Sequence, residues 1–282
     1  MIDKEILEKT FKQITEEKTD MLITGFRELD NVLSGIEKGN LIVIGGRPAM
    51  GKTAFMTSIL YHFLKQDKKC LLFSLKMSMS QYLKRLIAQV GEIELFSLNN
   101  NKILDDKNKE EIKTVLDIIS SCDLSIFDDT YKIEEIFSRI ETEKPEYVFI
   151  DYLQLLDTPR KKQRSEAITN IMLDLKKIAK ENNCIVFINS QLSRALENRC
   201  DKRPLLSDLR ESSDIENISD VVIFIYREEY YNRYSDDEDY ALSKGESEII
   251  VAKNTMGPVC TVKLLFRSSI AKFLEPINYD VF

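Results

Sequence analysis

The chain has 282 residues, of which 43% are hydrophobic and 31% charged, and this length and composition favour one large or two modest globular domains. No apolar run approaches the ~18 residues that a membrane-spanning helix requires. Five scattered cysteines without a C-x-x-C pair argue against a disulfide framework or zinc site and favour a reducing cytoplasm. The net charge of −7 does not indicate a nucleic-acid partner, so any such partner must be held by local basic patches.

The first predicted element is an amphipathic helix over residues 2–18, with charged residues outside its apolar stripe. The stripe consists of Ile2, Ile6, Leu7, Phe11 and Ile14. Such a stripe requires a partner. It packs either on its own domain or, as helix-in-groove contacts do, on a neighbouring subunit.

The next stretch combines a strand, a glycine-rich loop and a helix. Residues 41–44 are apolar, residues 46–53 fit the spacing G-x-x-x-x-G-K-[ST], and an apolar helical pattern runs from residue 54 to about residue 66. This order is the one that a phosphate-binding P-loop requires. A glycine turn could match the spacing by chance, but it would need neither the strand before it nor the helix after it.

A P-loop binds phosphate oxygens through backbone N–H groups and through the positive end of the following helix. Lys52 would bridge the β- and γ-phosphates, and the Thr53 hydroxyl would hold Mg²⁺. The predicted nucleotide-binding residues of the loop are Gly46, Arg47, Pro48, Ala49, Met50, Gly51, Lys52 and Thr53. The sequence therefore predicts a site for a nucleoside triphosphate with Mg²⁺.

After the P-loop, apolar strands alternate with amphipathic helices. The strands are predicted at 70–75, 124–127, 147–150, 184–189 and 221–226, and the helices at 80–90, 108–120, 133–142 and 167–181. Ser80 is the candidate N-cap of the helix over 80–90. An acidic, tyrosine-rich linker over 227–245 precedes a terminal hairpin of residues 248–253 and 260–266. The alternation predicts an α/β domain of about 260 residues, whose mostly parallel sheet carries helices on both faces.

Two strands end in polar residues suited to nucleotide chemistry. Asp151 follows the strand over 147–150, and a carboxylate at the carboxyl edge of the sheet can hold Mg²⁺ through water. Many buried strands end in Asp, so the upstream P-loop is what favours the metal role. Gln191, near the end of the strand over 184–189, can reach the γ-phosphate and report its loss.

Two basic stretches follow these strands and would leave the same edge of the sheet. Their candidate nucleic-acid contacts are Arg160, Lys161, Lys162 and Arg164 in the first, and Arg194, Arg199, Lys202, Arg203, Arg210 and Glu211 in the second. Basic loops that grip backbone phosphates bind single strands without reading sequence. The alternative is solvated charge on long loops. Their position directly after nucleotide-contacting strands favours nucleic acid.

Eight segments together identify a family. They are TGFRELD (24–30), GGRPAMGKTAF (45–55), FSLKMS (73–78), FIDYLQLL (149–156), SQLSRALENR (190–199), DKRPLLSDLRES (201–212), DVVIFIYREEYY (220–231) and the AK…GP segment (252–258). In this order they resemble the RecA-like motor domain of DnaB-type replicative helicases, the hexameric superfamily-four helicases. A RecA-type recombinase is disfavoured, because segments 190–199 and 201–212 match the helicase pattern.

The resemblance implies a RecA-like P-loop NTPase domain at 21–282, preceded by a linker helix at 1–20 that docks on the neighbouring subunit. The family's separate N-terminal domain has no counterpart here. The implied activity is ATP-driven, Mg²⁺-dependent translocation on single-stranded DNA and duplex unwinding in replication. The implied assembly is a cytoplasmic homohexamer around the DNA, with a primase or helicase loader as a further partner and no membrane.

The resemblance also assigns roles by position. Asp151 serves the metal, Gln191 couples the nucleotide to the DNA loops, and Arg210 and Glu211 fall in the loop that lines the channel. Arg227 matches a residue near the nucleotide base. Lys253 lies in the AK…GP segment, from which members of the family supply an arginine finger to the neighbouring subunit's site. The resemblance implies that Lys253 is a catalytic residue.

Three positions depart from the family pattern. Lys76 replaces a glutamate that positions the attacking water, and a lysine cannot act as that base. Thr255 stands where the family has its arginine finger, and Ser213 replaces a glycine of the channel loop. Two hypotheses follow. The chain is either a working helicase motor, or a nucleotide-binding ring subunit with impaired hydrolysis.

Overall fold

A nine-stranded sheet forms the centre of the computed structural model, which describes residues 7–8, 11, 15, 24–33, 36–100, 104–158, 163–209, 214–231 and 245–276. The strands are β1 (Leu41–Gly46), β2 (Cys70–Ser74), β3 (Leu124–Phe127), β4 (Tyr147–Asp151), β5 (Ile185–Gln191), β6 (Val221–Tyr226), β7 (Glu246–Asn254), β8 (Cys260–Arg267) and β9 (Lys272–Leu274). Their order across the sheet is β3-β2-β4-β5-β1-β6-β7-β8-β9. The first six in this order pair in parallel, and β7 to β9 add antiparallel pairs at one side.

Nine α-helices have their bounds within the described residues, in addition to the N-terminal helical residues given below. They are α1 (Arg27–Leu33), α2 (Lys52–Leu64), α3 (Met79–Gly91), α4 (Leu95–Asn99), α5 (Asp106–Ser120), α6 (Ile133–Glu143), α7 (Arg164–Glu181), α8 (Asp214–Ile218) and α9 (Glu228–Tyr231). Connections between parallel strands must cross the sheet, and most of these helices lie in such crossovers.

The hydrophobic core has two layers because successive residues of a strand point to opposite faces. On β1, Ile42 and Ile44 pack in the layer that includes α1 and α2, whereas Leu41 and Val43 pack in the layer that includes α6 and α7. Both layers are fully buried along β1. The predicted α/β class, with a mostly parallel sheet and helices on both faces, is confirmed.

The position of β1 between β5 and β6 places the candidate site. In the β1–β5 ladder Gly46 pairs with Gln191, and in the β2–β4 ladder Ser74 pairs with Asp151. Because these strands run in the same direction, their carboxyl ends meet at one edge of the sheet. Ligands of open α/β sheets bind at such an edge, where the strand order reverses.

The start of α3 differs from the prediction. The helix begins at Met79, because Ser78 rather than Ser80 is the N-cap and forms a capping box with Gln81. Asp128 adds to this cap by accepting from the Met79 backbone N–H at 2.6 Å. The short elements α4 and β9 were not predicted.

The N-terminal helix is described at four residues of the range 2–18, and all four are helical: Leu7, Glu8, Phe11 and Thr15. The Thr15 hydroxyl donates to the Phe11 carbonyl at 2.9 Å, one turn earlier. Leu7 is 55% exposed and Phe11 66% exposed, so the apolar stripe is open to solvent at both positions. The other residues of this range lie outside the description. Among the helices that the structure describes, none is both long enough and apolar enough to cross a bilayer.

The buried Gln89 generates a prediction about stability. Its amide nitrogen donates to the carbonyls of Ala54 and Ala271, and its oxygen accepts from the Ser58 hydroxyl. Gln89→Leu leaves the buried Ala271 carbonyl without this donor, whereas the Ser58 hydroxyl and the Ala54 carbonyl keep the bond between them at 3.1 Å, and it is expected to lower the free energy of unfolding by about 1–3 kcal/mol. Urea unfolding measures the loss. The exposed Gln66→Leu is the matched control, and an equal loss in both variants would contradict the role of Gln89.

Candidate functional site

The loop between β1 and α2 has the backbone of a P-loop. It turns at Gly51, whose φ of +100° is in the left-handed region that favours glycine. A Cβ at this position would also lie 3.0 Å from the ring of Phe273. The loop closes directly onto α2, since the Phe55 N–H donates to the Gly51 carbonyl at 2.8 Å. The helix terminus therefore faces the same space as the loop.

This loop borders a cavity of about 370 Å³ at the carboxyl edge of the sheet. The polar and charged side chains that line the cavity include Lys52, Thr53, Lys76, Arg85, Asp151 and Gln191. Apolar lining comes from Leu95, Phe266 and Ala271, on α4 and at the β8–β9 end of the sheet. The structure thus gathers seven predicted nucleotide-site residues around one space, since Pro48, Ala49 and Gly51 of the loop also line it, together with the substituted Lys76.

Thr53 and Asp151 form the polar centre of this site. The Thr53 hydroxyl donates to Asp151 Oδ2 at 2.7 Å, and Asn189 Nδ2 donates to Oδ1 of the same carboxylate at 2.9 Å. Asp151 is 2% exposed, and the hydrogen bond from Asn189 fixes the orientation of its buried carboxylate. Hydroxyl and carboxylate oxygens are hard ligands of the kind that Mg²⁺ binds, together with phosphate and water. These residues fit a Mg²⁺ ion.

The Lys52 ammonium lies over the loop itself. It donates to the carbonyls of Gly46 at 2.7 Å and Arg47 at 3.1 Å. Burial lowers the pKa of Lys52 to about 8; Asp151 opposes this shift, and Lys76 and Arg47 add to it. The side chain is therefore a charged donor at neutral pH, poised to exchange carbonyl oxygens for phosphate oxygens.

Gln191 is tied to the end of β4 through Gln154. The Gln154 side chain donates to Ser190 Oγ at 3.0 Å and accepts from the Gln191 backbone N–H at 3.1 Å. Arg164, at the start of α7, donates to the Gln154 carbonyl at 2.9 Å. The first predicted basic stretch is thus connected at its end to the strand that carries Gln191.

Two cations face the cavity in addition to Lys52. Lys76 is exposed after β2, and Arg85 projects from α3. Among the lining residues that the structure describes, Asp151 is the only carboxylate. Sequence reasoning identified Lys76 through its departure from the family pattern. It missed Arg85 and Phe266, because the fold brings these residues to the site without a local motif.

Arg47 and Arg227 direct their side chains away from the phosphate-binding face. Arg47 pairs with Glu197, and Arg227 donates to the Ala49 carbonyl at 3.1 Å and pairs with Glu229. The Arg227 guanidinium also stacks on the ring of Phe266, 4.1 Å from its centroid. Arg227 thus lies behind the loop and behind a lining ring rather than in the cavity wall.

Lys253 and Thr255 are not brought to the P-loop of their own chain. The Lys253 ammonium donates to the carbonyls of Glu216, Asn217 and Ser219, at the end of α8. The Thr255 hydroxyl and N–H both contact the Asp220 carbonyl. Because β7 is antiparallel to β6, these residues lie at the amino edge of the parallel strands, opposite the cavity.

The predicted nucleic-acid contacts other than Arg164, which binds the Gln154 carbonyl, separate into three groups. Arg160, Lys161, Lys162, Arg210 and Glu211 lie outside the described residues. Arg199, Lys202 and Arg203 have partners in their own chain, which are Asp208, the ring of Tyr231, and Glu248 respectively. Arg194 is exposed at the start of a short 3₁₀ helix, and no partner for it is found in the part of the chain that the structure describes.

Comparison with known proteins gives a consistent match. The model of the family described as "DnaB-like helicase C terminal domain" matches residues 22–275. The replicative DNA helicase DnaB of Helicobacter pylori is 34% identical, with 98% of this chain and 65% of that protein covered. A probable replicative DNA helicase of Trieres chinensis is 38% identical, with 92% and 58% covered. The chain thus spans about three fifths of the length of these curated relatives.

Two solved structures match closely. One is described as an ATPase domain, with a TM-score of 0.89 and 34% identity over 96% of this chain and 98% of that one. The other is described as a DnaB-like replicative helicase and its interactions with primase, with a TM-score of 0.89 and 33% identity, covering 98% and 68%. These likenesses confirm the predicted RecA-like core.

The pKa of Lys52 generates a prediction about pH. Since the charged ammonium attracts the phosphate far more strongly than the neutral amine does, raising the pH through 8 is expected to weaken binding of a non-hydrolysable ATP analogue, by up to about tenfold per pH unit. Fluorescence titration with Mg²⁺ between pH 7 and 9 measures this change. Lys52→Met is expected to bind weakly at every pH, whereas the exposed Lys65→Met keeps the wild-type profile. A flat profile for the wild-type chain would contradict the role given to Lys52.

Proposed function

This chain belongs to the family of DnaB-like helicase C-terminal domains, and we propose that it is the ATP-dependent motor domain of a ring-shaped replicative DNA helicase. The observation that carries the proposal is the convergence of Lys52, Thr53 and Asp151 on one cavity beside a P-loop. Such a site would bind the phosphates of a triphosphate through backbone N–H groups, an ammonium and a metal ion held by the hydroxyl and the carboxylate.

Each residue of the site has a separate task. Lys52 exchanges its loop carbonyls for β- and γ-phosphate oxygens, and Arg85 adds positive charge from α3. Thr53 and Asp151 would hold Mg²⁺, which when bound neutralises charge that develops on the phosphates. The ring of Phe266, backed by Arg227, provides a flat apolar surface for the nucleobase.

Gln191 and the two basic stretches connect this site to single-stranded DNA. Gln191 lines the cavity, and its backbone is held by Gln154, which in turn is held by Arg164. A change at the γ-phosphate therefore reaches the region of Arg160, Lys161 and Lys162 through hydrogen bonds. The exposed Arg194 and the residues Arg210 and Glu211 complete the proposed DNA contacts.

The motor is proposed to work as a homohexamer. Residues 1–20 act as a linker helix on a neighbouring subunit, which the exposure of Leu7 and Phe11 supports. Lys253 and Thr255 lie at the sheet edge opposite their own cavity, so in a ring they serve the neighbour's site. The relative solved with its primase interactions suggests a primase as a further partner.

Lys76 favours a second candidate function, a ring subunit that binds ATP with little hydrolysis. No general base lines the cavity among the described residues, because Asp151 is engaged by Thr53 and Asn189. The Thr255 hydroxyl cannot replace a guanidinium, and loss of an arginine finger costs about 10³–10⁵ in rate in nucleotide hydrolases. Binding would then regulate or stabilise the ring rather than drive it.

Steady-state ATP hydrolysis, measured with and without single-stranded DNA, separates the two candidates. If the second candidate is correct, the Lys76→Glu, Thr255→Arg double variant is expected to turn over at least about 100-fold faster than the wild-type chain, because it regains a base and a finger. The exposed Lys113→Glu is the charge-matched control. Strong DNA-stimulated turnover by the wild-type chain that the double variant does not exceed would contradict the second candidate. Failure of the wild-type chain to bind ATP would contradict both.

Self-association tests the linker helix. Leu7→Ser with Phe11→Ser removes two exposed apolar side chains and is expected to weaken hexamer formation at least about tenfold, since each buried large apolar side chain contributes about 1.5–3 kcal/mol. Sedimentation velocity over a concentration series measures the change. Leu116→Ser, at an exposed position on α5, is the matched control. An unchanged hexamer in the helix variant would rule out this assignment.

A further inference from the structure

The P-loop has a second connection to the rest of the chain, made by the side chain of Arg47. The residue is 5% exposed, and three nitrogens of its guanidinium have partners. Nε and Nη2 donate to Glu197 Oε1 at 2.9 and 2.8 Å, and Nη1 donates to the Leu192 carbonyl at 2.9 Å. Both partners belong to the chain segment that follows β5.

That segment, residues 192–209, is called the β5 lobe here because it folds back on itself. Leu192 and Leu209 form an antiparallel bridge, and the Ser193 N–H donates to the Asp208 carbonyl at 2.9 Å. Arg199 closes the lobe further through its ion pair with Asp208 at 2.7 Å. A displacement at Leu192 or Glu197 is therefore shared by the whole lobe. The lobe carries the exposed Arg194 and leads directly into residues 210–213.

Packing alone does not explain the choice of residues. The Arg47 end of this ion pair is buried and the Glu197 side chain is 42% exposed, so the pair adds little stability, but its geometry fixes how two elements sit relative to one another. Here two guanidinium nitrogens of Arg47 donate to the Glu197 carboxylate, and the third donates to the Leu192 carbonyl. Such a contact specifies the position of the β5 lobe relative to the P-loop.

The other end of Arg47 is part of the phosphate-binding loop. Its carbonyl accepts from the Lys52 ammonium at 3.1 Å and from the Met50 N–H at 3.3 Å. A bound triphosphate competes for the Lys52 ammonium, so the backbone of Arg47 responds to nucleotide while its side chain holds the lobe. This route does not pass through Gln191.

We propose that Arg47 and Glu197 are positioning residues that transmit occupancy of the nucleotide site to the β5 lobe and thereby set its affinity for single-stranded DNA. The inference rests on the proposed function. The inference assigns the coupling between nucleotide and single-stranded DNA to the Arg47–Glu197 ion pair. The side chains of this pair contact neither ligand.

The test is the coupling between two binding equilibria. Anisotropy of a labelled oligo-dT gives the dissociation constant for DNA with and without a non-hydrolysable ATP analogue and Mg²⁺. The wild-type ratio of the two constants is expected to be about 5–150, which is the usual range for coupled sites. Glu197→Gln and Arg47→Gln are each expected to bring the ratio below about 2, and the double variant to match the single ones, because the residues act as one unit.

The affinity for each ligand, measured alone, shows whether a variant has lost only the positioning contact or also its fold. Glu197 is partly exposed, so Glu197→Gln is expected to keep the wild-type melting temperature and both separate affinities within about threefold. Lys263→Gln, which breaks an exposed ion pair with Glu246 on the β7–β8 hairpin, is the control and keeps the wild-type ratio.

Three results would overturn the inference. The first is a Glu197→Gln variant whose ratio of DNA dissociation constants equals that of the wild-type chain. The second is loss of affinity for both ligands in that variant, and the third is a wild-type chain that binds both ligands without coupling. A wild-type chain that binds no ATP analogue fails in a different measurement, and that result overturns the proposed function itself.

Discussion

The hydrogen bond between Thr53 and Asp151 joins the end of the P-loop to the end of a strand 98 residues later. It exists because β1, β5 and β4 run in parallel and end at one edge of the sheet. Parallel pairing also forces every connection to cross the sheet, which covers both faces with helices and buries the strands. The core and the site are thus two consequences of the same strand direction. The large buried rings on β4 and β5, such as Phe149 stacked on Phe187, hold these strands in place.

The strands and the α/β class were predictable because each buried parallel strand is a short, continuous apolar run bounded by polar residues or glycine. The misses have a tertiary cause. Serines stand at both 78 and 80, and the choice of Ser78 as N-cap is made with Asp128, a residue 49 positions away from Met79. The strand β9 has only three residues, and it forms because β8 offers an edge and Phe273 packs against Phe55 and Phe266. Neither signal is local.

The candidate site shows the same division. Lys52, Thr53, Asp151 and Gln191 were predictable because spacing and strand ends determine where they lie. Arg199, Arg203 and Lys253 are predicted to act on ligands, and the sequence did not show that each also has a partner in its own chain. A basic residue in a sequence carries no information about which distant carboxylate or carbonyl the fold will give it. For the same reason no local pattern revealed Arg85 or Phe266, which reach the cavity from α3 and β8.

Binding and turnover depend on different features of this cavity. Among the lining residues that the structure describes, Lys52, Lys76 and Arg85 stand with a single carboxylate, an arrangement that attracts the charge of a nucleotide whether or not its γ-phosphate has been cleaved. Interactions that are equally strong in the ground state and the transition state tighten binding without accelerating the chemical step. Where the resemblance implies a carboxylate, Lys76 supplies a cation that attracts phosphate and cannot serve as a base for water. Under the proposed function, a ring subunit that keeps its ligand would still position its DNA loops through the contacts of Arg47 and Gln154, because these contacts require no cleavage.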